Sequence, residues 1–391
     1  MKKRIGILTG GGDVPPLNAV IQSVCDEAKP HDIEVVGLTY GWQGLLDKSS
    51  VDLTRLKVDP AIGGTVLRSS RVNLGKIDNA FARITESLDA LRLDGLIIIG
   101  GEDTLSNAFH LRDIPQVLIS KTIDNDVGIN EDGRMLNFFT LGYPTAAQRI
   151  SSLVSLRDGL RTTAYSHERI IVVESMGMHA GWLAISSAMG HPDFIVIPEF
   201  PLDYDSFAQK VSRRFYEQRN VIVVISEGAK WSDGSYISAN EEEKDNFGHP
   251  KFKGAAETLA NRLKEDLRSL FDTRNVNSVN PSYLYRSGTP NALDLASAAV
   301  LGKDAISLLR KGITEPVFLT LNSTSHGLES EPYYLRDLSD IEDFHRFVDA
   351  RFYDQSVFGV TDEGKKYLSK IVSDLGTPVY GFSQQHLQEN K

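Results

Sequence analysis

Short aliphatic runs punctuate this chain, at residues 5–9, 34–38, 95–99, 116–119, 169–174, 194–197, 221–225 and 317–321, most of them rich in isoleucine and valine. Each is only a few residues long and is followed by glycine, proline or a polar residue, so each predicts a strand buried on both faces. Between them lie stretches with apolar residues at helical spacing, such as 17–28 and 292–310. Strands alternating with helices predict an α/β fold, two doubly wound domains with mainly parallel sheets. Several strands run into a glycine or a short acidic turn, at the end where parallel strands gather ligands. Residues 231–254 are polar, acid-rich and broken by glycine, which predicts a long surface loop, and 274–290 reads as irregular. Charged helical patterns occupy 339–351 and 362–375. No tandem repeat or low-complexity tract interrupts the scheme.

The length of 391 residues exceeds one hydrophobic core and predicts two domains. No apolar run approaches the ~20 residues of a membrane span, and residues 1–4 lead straight into a strand without a signal-peptide core, so no membrane and a cytoplasmic address are expected. Cys25, the single cysteine, sits in an apolar helical pattern and reads as a packing residue. A formal net charge of −10 argues against nucleic acid as partner. An anionic substrate then needs a local basic cluster, for which Arg68, Arg71, Arg169 and Arg286 are candidates.

Two segments carry most of the chemistry. GGEDTL at 100–105 follows the strand at 95–99: its glycines let backbone approach an anion, and a helix expected near Thr104 would add unpaired N–H groups. Acids there would repel phosphate, so Glu102 and Asp103 make sense with a divalent cation between them and the substrate. SKTIDND at 120–126 would place Asp124 and Asp126 on one side of an extended chain, with Lys121 upstream. A carboxylate that takes a hydroxyl proton beside one that helps hold a metal suits phosphoryl transfer to an alcohol. Taken alone, Asp-Asn-Asp reads equally well as a solvated turn. The triple glycine at 10–12 is either a phosphate loop or a tight connection. GGT at 63–65, followed by Arg71, repeats the theme.

The ordered set TGGGDVPPLN, GGTVLRSSR, GGEDTL, SKTIDND, SHERIIVVESMGMHAG, ISEG and YLYRSGTP resembles the phosphofructokinases over about the first 310 residues. The resemblance implies an active site in the cleft between two discontinuous domains. Residues 1–142 with about 287–309 would bind the phosphoryl donor, and 143–286 with about 310–391 the sugar phosphate. It implies Asp124 as general base toward the 1-hydroxyl of fructose 6-phosphate, with Thr122 and Asp126 touching sugar or metal-bound phosphate. It implies Gly11, Gly101, Arg71 and Lys121 as donor-phosphate contacts and Glu102 as the metal acid, for Mg2+. Arg169, Met176, Gly177, Met178, Glu227, Tyr283 and Arg286 fall on sugar-phosphate positions. A homodimer or homotetramer is also implied.

Within the resemblance, Asp103 and Lys121 stand where ATP-dependent members usually have glycine. An aspartate side chain fills nucleotide space, and an ammonium can hold the leaving phosphate, so the pair resembles diphosphate-dependent members. Departures gather at the acceptor end. Tyr283 replaces a histidine and Asn277 an arginine that a neighbouring subunit lends, with Arg274 a nearby substitute. Met178 replaces a common arginine, and residues 139–146 read FTLGYPTA. The first helix lacks effector-site arginines, so no strong nucleotide regulation is expected. The reading is a reversible diphosphate–fructose-6-phosphate 1-phosphotransferase. Its rivals are an ATP-dependent enzyme, a diphosphate-dependent kinase of another sugar phosphate such as sedoheptulose 7-phosphate, and a catalytically silent sugar-phosphate sensor.

Overall fold

The computed structural model describes residues 2–111, 114–131, 134–244, 250–252, 254–268, 275–324, 327–335 and 345–376. The chain forms two compact units, one of Met1–Thr145 with Arg286–Arg346 and the other of Ala146–Tyr285 with Phe347–Lys391.

The first unit is built on a sheet of eight described strands in the order Gly327–Tyr334, Val317–Thr324, Gln116–Thr122, Gly95–Gly100, Arg4–Thr9, Glu34–Leu38, Ser50–Asp52, with Leu141–Gly142 beside Gln116–Thr122. The five central strands are parallel, and only the outermost, Gly327–Tyr334 and Ser50–Asp52, run antiparallel to their neighbours. Their apolar runs have the expected consequence: Ile5, Ile7, Ile97, Ile98, Val117 and Leu118 are fully buried. Helix Leu17–Ala28 packs on helix Ala292–Lys311, where Ser23 donates to the Ala299 carbonyl at 2.9 Å. The parallel order puts the carboxyl ends of Arg4–Thr9, Gly95–Gly100 and Gln116–Thr122 side by side, which is where the candidate site forms.

Residues 310–346 were expected with the sugar-phosphate body, yet the described part of that stretch falls in the first unit. Val317, Phe318 and Leu319 pair in parallel with Val117, Leu118 and Ile119, burying a run that would otherwise face water. The described residues from Phe347 to Gly376 join the second unit.

The second unit has a parallel sheet in the order Phe194–Val196, Val221–Ser226, Ile170–Ser175, Val276–Val279. Its last strand lies inside the stretch read as irregular, because Val276 and Val279 pair in register with Ile170 and Val173. Part of the expected surface loop is a hairpin, Ala239–Lys244 against Pro250–Phe252. The helical pattern at 339–351 is not borne out over residues 345–350, which are not helical, and the later helix is Asp362–Leu368. Residues 336–344 and Arg274 lie outside the described residues. Trp42 and Trp182 are core residues, and burial pushes the Cys25 thiol up to about 12. Among the described residues no helix is long and apolar enough to cross a membrane.

Candidate active site

The first glycines after strand Arg4–Thr9 do what a side chain would prevent. Gly10 donates to the Ile99 carbonyl at 2.9 Å and Gly11 to the Ser70 carbonyl at 3.2 Å, tying the turn to the next strand and to the 63–71 loop. Gly11 has φ +76°, in the left-handed region. A Cβ on Gly11 would lie 3.3 Å from the Lys121 ammonium, and one on Gly12 would lie 2.9 Å from Arg286 Nη1 and 3.9 Å from Arg71 Nη2. Three cationic groups therefore converge on two residues without side chains. An open pocket of about 420 Å³ adjoins them, lined in part by Gly11, Gly12, Asp13, Thr65, Arg68 and Arg71.

Lys121 is 3 % exposed and its Nζ donates to the Gly12 carbonyl. Burial, then the Arg286 charge, press its pKa down to about 7; Asp13 pulls the other way, Arg71 adds to the depression, and Asp124 opposes it. An ammonium held among arginines is stabilised by an incoming polyanion more than by anything else within reach. Replacing Gly11 by alanine is expected to cost about 1 kcal/mol in stability through its left-handed backbone and to raise the donor KM several-fold by crowding Lys121. Urea titration and steady-state kinetics measure the two effects separately.

The acids lie on the neighbouring strand ends. Strand Gln116–Thr122 runs two residues past Ser120, so Lys121 and Thr122 are strand residues and the chain turns only afterwards. The turn is not extended as the sequence suggested: Asp124 N–H donates to Thr122 Oγ1 at 3.0 Å and Asn125 is left-handed at φ 55°. The two aspartates consequently meet different partners. Asp124 Oδ2 is 3.8 Å from Arg286 Nη2, on the cationic side. Asp126 is held above the usual carboxylate range by burial and by the Glu102 charge, while a Thr122 hydrogen bond and His345 act the other way.

Helix Glu102–Ser106 starts two residues before the expected position and spans only five residues, with Glu102 and Asp103 in its first turn. The acids themselves thus occupy the end that was expected to offer N–H groups to phosphate, and Gly101 stands just before it. Asp103 is exposed. His345 Nε2 is 3.5 Å from Glu102 Oε1. Among the described residues no cluster of three or more His, Cys, Asp or Glu is placed to hold a metal ion. Magnesium, which keeps waters and substrate oxygens in its shell, needs only one or two protein carboxylates. Asp126 Oδ1 is buried with no hydrogen-bond partner and its carboxyl feels Glu102, which is the situation a divalent cation relieves.

On the second unit, Met176, Gly177, Met178 and Glu227 follow the carboxyl ends of adjacent parallel strands and are brought together. Gly177 N–H donates to Glu227 Oε1 at 3.2 Å, and Glu227 N–H to the Ser175 carbonyl at 2.9 Å. Arg169 is not with them: it precedes strand Ile170–Ser175, about 20 Å away by strand rise, and donates to Thr163 Oγ1. Asn277 pairs near that same end, opposite Ile171. Tyr283 is 73 % exposed, whereas Tyr285 is buried with its hydroxyl donating to the Glu174 carbonyl. Arg286, implied for the sugar phosphate, has its guanidinium beside Gly12 and Asp124. Sequence reasoning missed Asp13, Asn125, Thr140 and Arg346 around the site. Thr140 belongs to the atypical FTLGYPTA stretch, the one signal that marked it.

Parallel strand ends, a glycine pair on which three cations converge, and carboxylates beside it define a phosphoryl-transfer protein of the α/β class. The phosphofructokinase family model matches residues 4–309, and the chain belongs to that family of phosphotransferases with an alcohol group as acceptor. It is 36 % identical to the pyrophosphate–fructose 6-phosphate 1-phosphotransferase of Dictyoglomus thermophilum, over 90 % of this chain and 97 % of that protein. It is 39 % identical to ATP-dependent 6-phosphofructokinase 3 of Streptomyces coelicolor, over 79 % of this chain and 88 % of the relative. In fold it resembles the pyrophosphate-dependent phosphofructokinase of Marinobacter aquaeolei, with TM-score 0.77 at 20 % identity, covering 97 % and 94 % of the two chains.

Proposed function

We propose that the chain transfers a phosphoryl group, reversibly, from diphosphate to the 1-hydroxyl of fructose 6-phosphate. Relatives of both donor types match at similar identity, so the donor reading rests on this chain's own residues. The observation that carries it is the buried Lys121 ammonium at Gly12, between Arg71 and Arg286. That arrangement concentrates positive charge on a small anion, and by the family resemblance Asp103 stands where a nucleotide's α-phosphate would need room.

In this reading Asp124 accepts the proton of the 1-hydroxyl as its oxygen attacks phosphorus. The bridging P–O bond breaks, and orthophosphate leaves against Lys121, Arg71 and the Gly11 and Gly12 backbone. Charge moves from the transferred group to the leaving group, so fixed cations at the leaving end stabilise the transition state more than the ground state. Glu102 and Asp126 would hold Mg2+, which when bound neutralises phosphate charge. Met176, Gly177, Met178 and Glu227 are the acceptor candidates on the second unit.

The test offers diphosphate and ATP in parallel, with magnesium and fructose 6-phosphate, and measures fructose 1,6-bisphosphate. Turnover with diphosphate and none with ATP is expected. Asp103→Gly is expected to open ATP use by at least tenfold while lowering diphosphate turnover. ATP turnover by the unaltered protein would overturn the donor assignment. Sedoheptulose 7-phosphate as a second acceptor separates the sugar alternatives.

A further inference from the structure

We propose that Arg346, a residue remote in sequence from every motif of the site, is a positioning residue that fixes the turn carrying Asp124 and Asp126. The proposal rests on the assignment of Asp124 as base.

The geometry is that of a clamp. Arg346 is 1 % exposed, and its guanidinium donates from Nη1 to Asn125 Oδ1 at 2.8 Å and from Nη2 to the Phe138 carbonyl at 3.2 Å. Its backbone N–H donates to the Asp126 carbonyl at 2.8 Å, and His345 beside it bridges antiparallel to Val127. Asn125, fully buried between the two aspartates, takes a second hydrogen bond on the same Oδ1 from Thr140 N–H at 2.9 Å. Thr140 Oγ1 in turn donates to the Thr122 carbonyl at 2.7 Å. Residues 122, 125 and 126 are thus each held by a group from elsewhere in the first unit, and Arg346 supplies two of those holds.

Gly128 supports the assignment independently. A Cβ there would lie 2.3 Å from Arg346 Cδ, 2.8 Å from its Cγ and 2.5 Å from Asn137 Oδ1. Two of these atoms belong to the buried stem of Arg346, and the third to the buried Asn137. The backbone at 128 is shaped around the arginine.

A non-glycine residue in the left-handed region is costly and persists only where the surrounding structure holds it. Asn125 is such a residue, and it sets the directions in which Asp124 and Asp126 leave the backbone. Charge-assisted bonds from a planar guanidinium fix an amide oxygen in direction as well as distance. Lysine can make one of the two side-chain bonds, never both in the same plane.

The experiment combines kinetics with hydrogen exchange. Arg346→Ala is expected to lower kcat roughly thirtyfold to a hundredfold, since a displacement of about 1 Å in a reacting group costs that much, with KM for both substrates within about threefold. Guanidinium at tens of millimolar is expected to restore part of kcat in that variant and none in the parent. Amide exchange is expected to quicken in the peptide spanning 122–128 and nowhere else in the first unit. If Arg346→Ala does not fold, Gly128→Ala and Arg346→Lys carry the same kcat, KM and exchange expectations at roughly tenfold, the guanidinium criterion applying to Arg346→Ala alone because only that variant leaves a cavity for it. Unchanged kcat, a loss that guanidinium does not rescue, or exchange that quickens uniformly would each overturn the proposal. Exchange reads the turn directly, so a parent protein with no transferase activity would sink the assignment of Asp124 while leaving the clamp itself open to confirmation or rejection.

Discussion

Asp124→Ser is expected to reduce kcat about a thousandfold, in the middle of the range for loss of a positioned general base. Diphosphate KM should stay level or fall. Asp124 Oδ2 lies 3.8 Å from Arg286 Nη2, and removing the carboxylate leaves that guanidinium with more charge to offer an anion. Fructose 6-phosphate KM should change by no more than a few-fold, because the group acts on a proton that moves only in the transition state. Steady-state kinetics in both directions measure all three quantities, and both directions should fall together, since the base of one is the acid of the other. A kcat within tenfold of the parent would remove Asp124 from the mechanism.

Lys121→Met separates stability from activity. The ammonium is fully buried and its pKa, about 7, lies below the ordinary 10.5. Between those values the folded chain binds fewer protons than the unfolded chain, so this group's effect on stability improves as pH rises from about 7 to 10.5 and is worst below 7. Methionine fits the stem and removes the charge. The variant should melt at a higher temperature than the parent at about pH 6.5, and the difference should vanish by about pH 10.5. Its kcat should fall several-hundred-fold, the typical loss when one preorganised donor to a developing charge is removed. In the parent, diphosphate favours the protonated amine, so its affinity should weaken as pH rises through about 7 and its binding should take up a proton. Calorimetry in two buffers of different ionisation enthalpy detects that proton. Retained turnover in Lys121→Met, or affinity independent of pH, would refute the role.

The strands were legible because a buried parallel strand is a local pattern. The glycine-bounded run LIII at 96–99 can do little else, and all eight predicted runs fall on strands, with ends that differ by no more than three residues. What escaped was pairing whose signal is shared with a partner. Val276–Val279 carries polar residues between its valines and becomes a strand only because Ile170–Ser175 offers it an edge. Val317–Thr324 was visible as a strand, but its membership of the first unit depended on which sheet had a free edge beside Val117.

The site divides in the same way. The chain alone determined that Gly11 and Gly12 follow a strand, that Lys121 and Asp124 lie three residues apart, and that Glu102 and Asp103 follow the glycines after another strand. Those are short-range facts, fixed by strand ends and by residues that tolerate close approach. Only the tertiary structure decided that Arg286 stands beside Gly12 and Asp124, that Arg169 lies at the opposite end of its strand from Glu227, and that Arg346 is buried behind Asn125. Each of these joins residues more than fifty positions apart. A lone arginine carries no mark in sequence of the carbonyl or carboxylate it will meet; the meeting is set by which surfaces must be buried together, and that is a property of the whole chain.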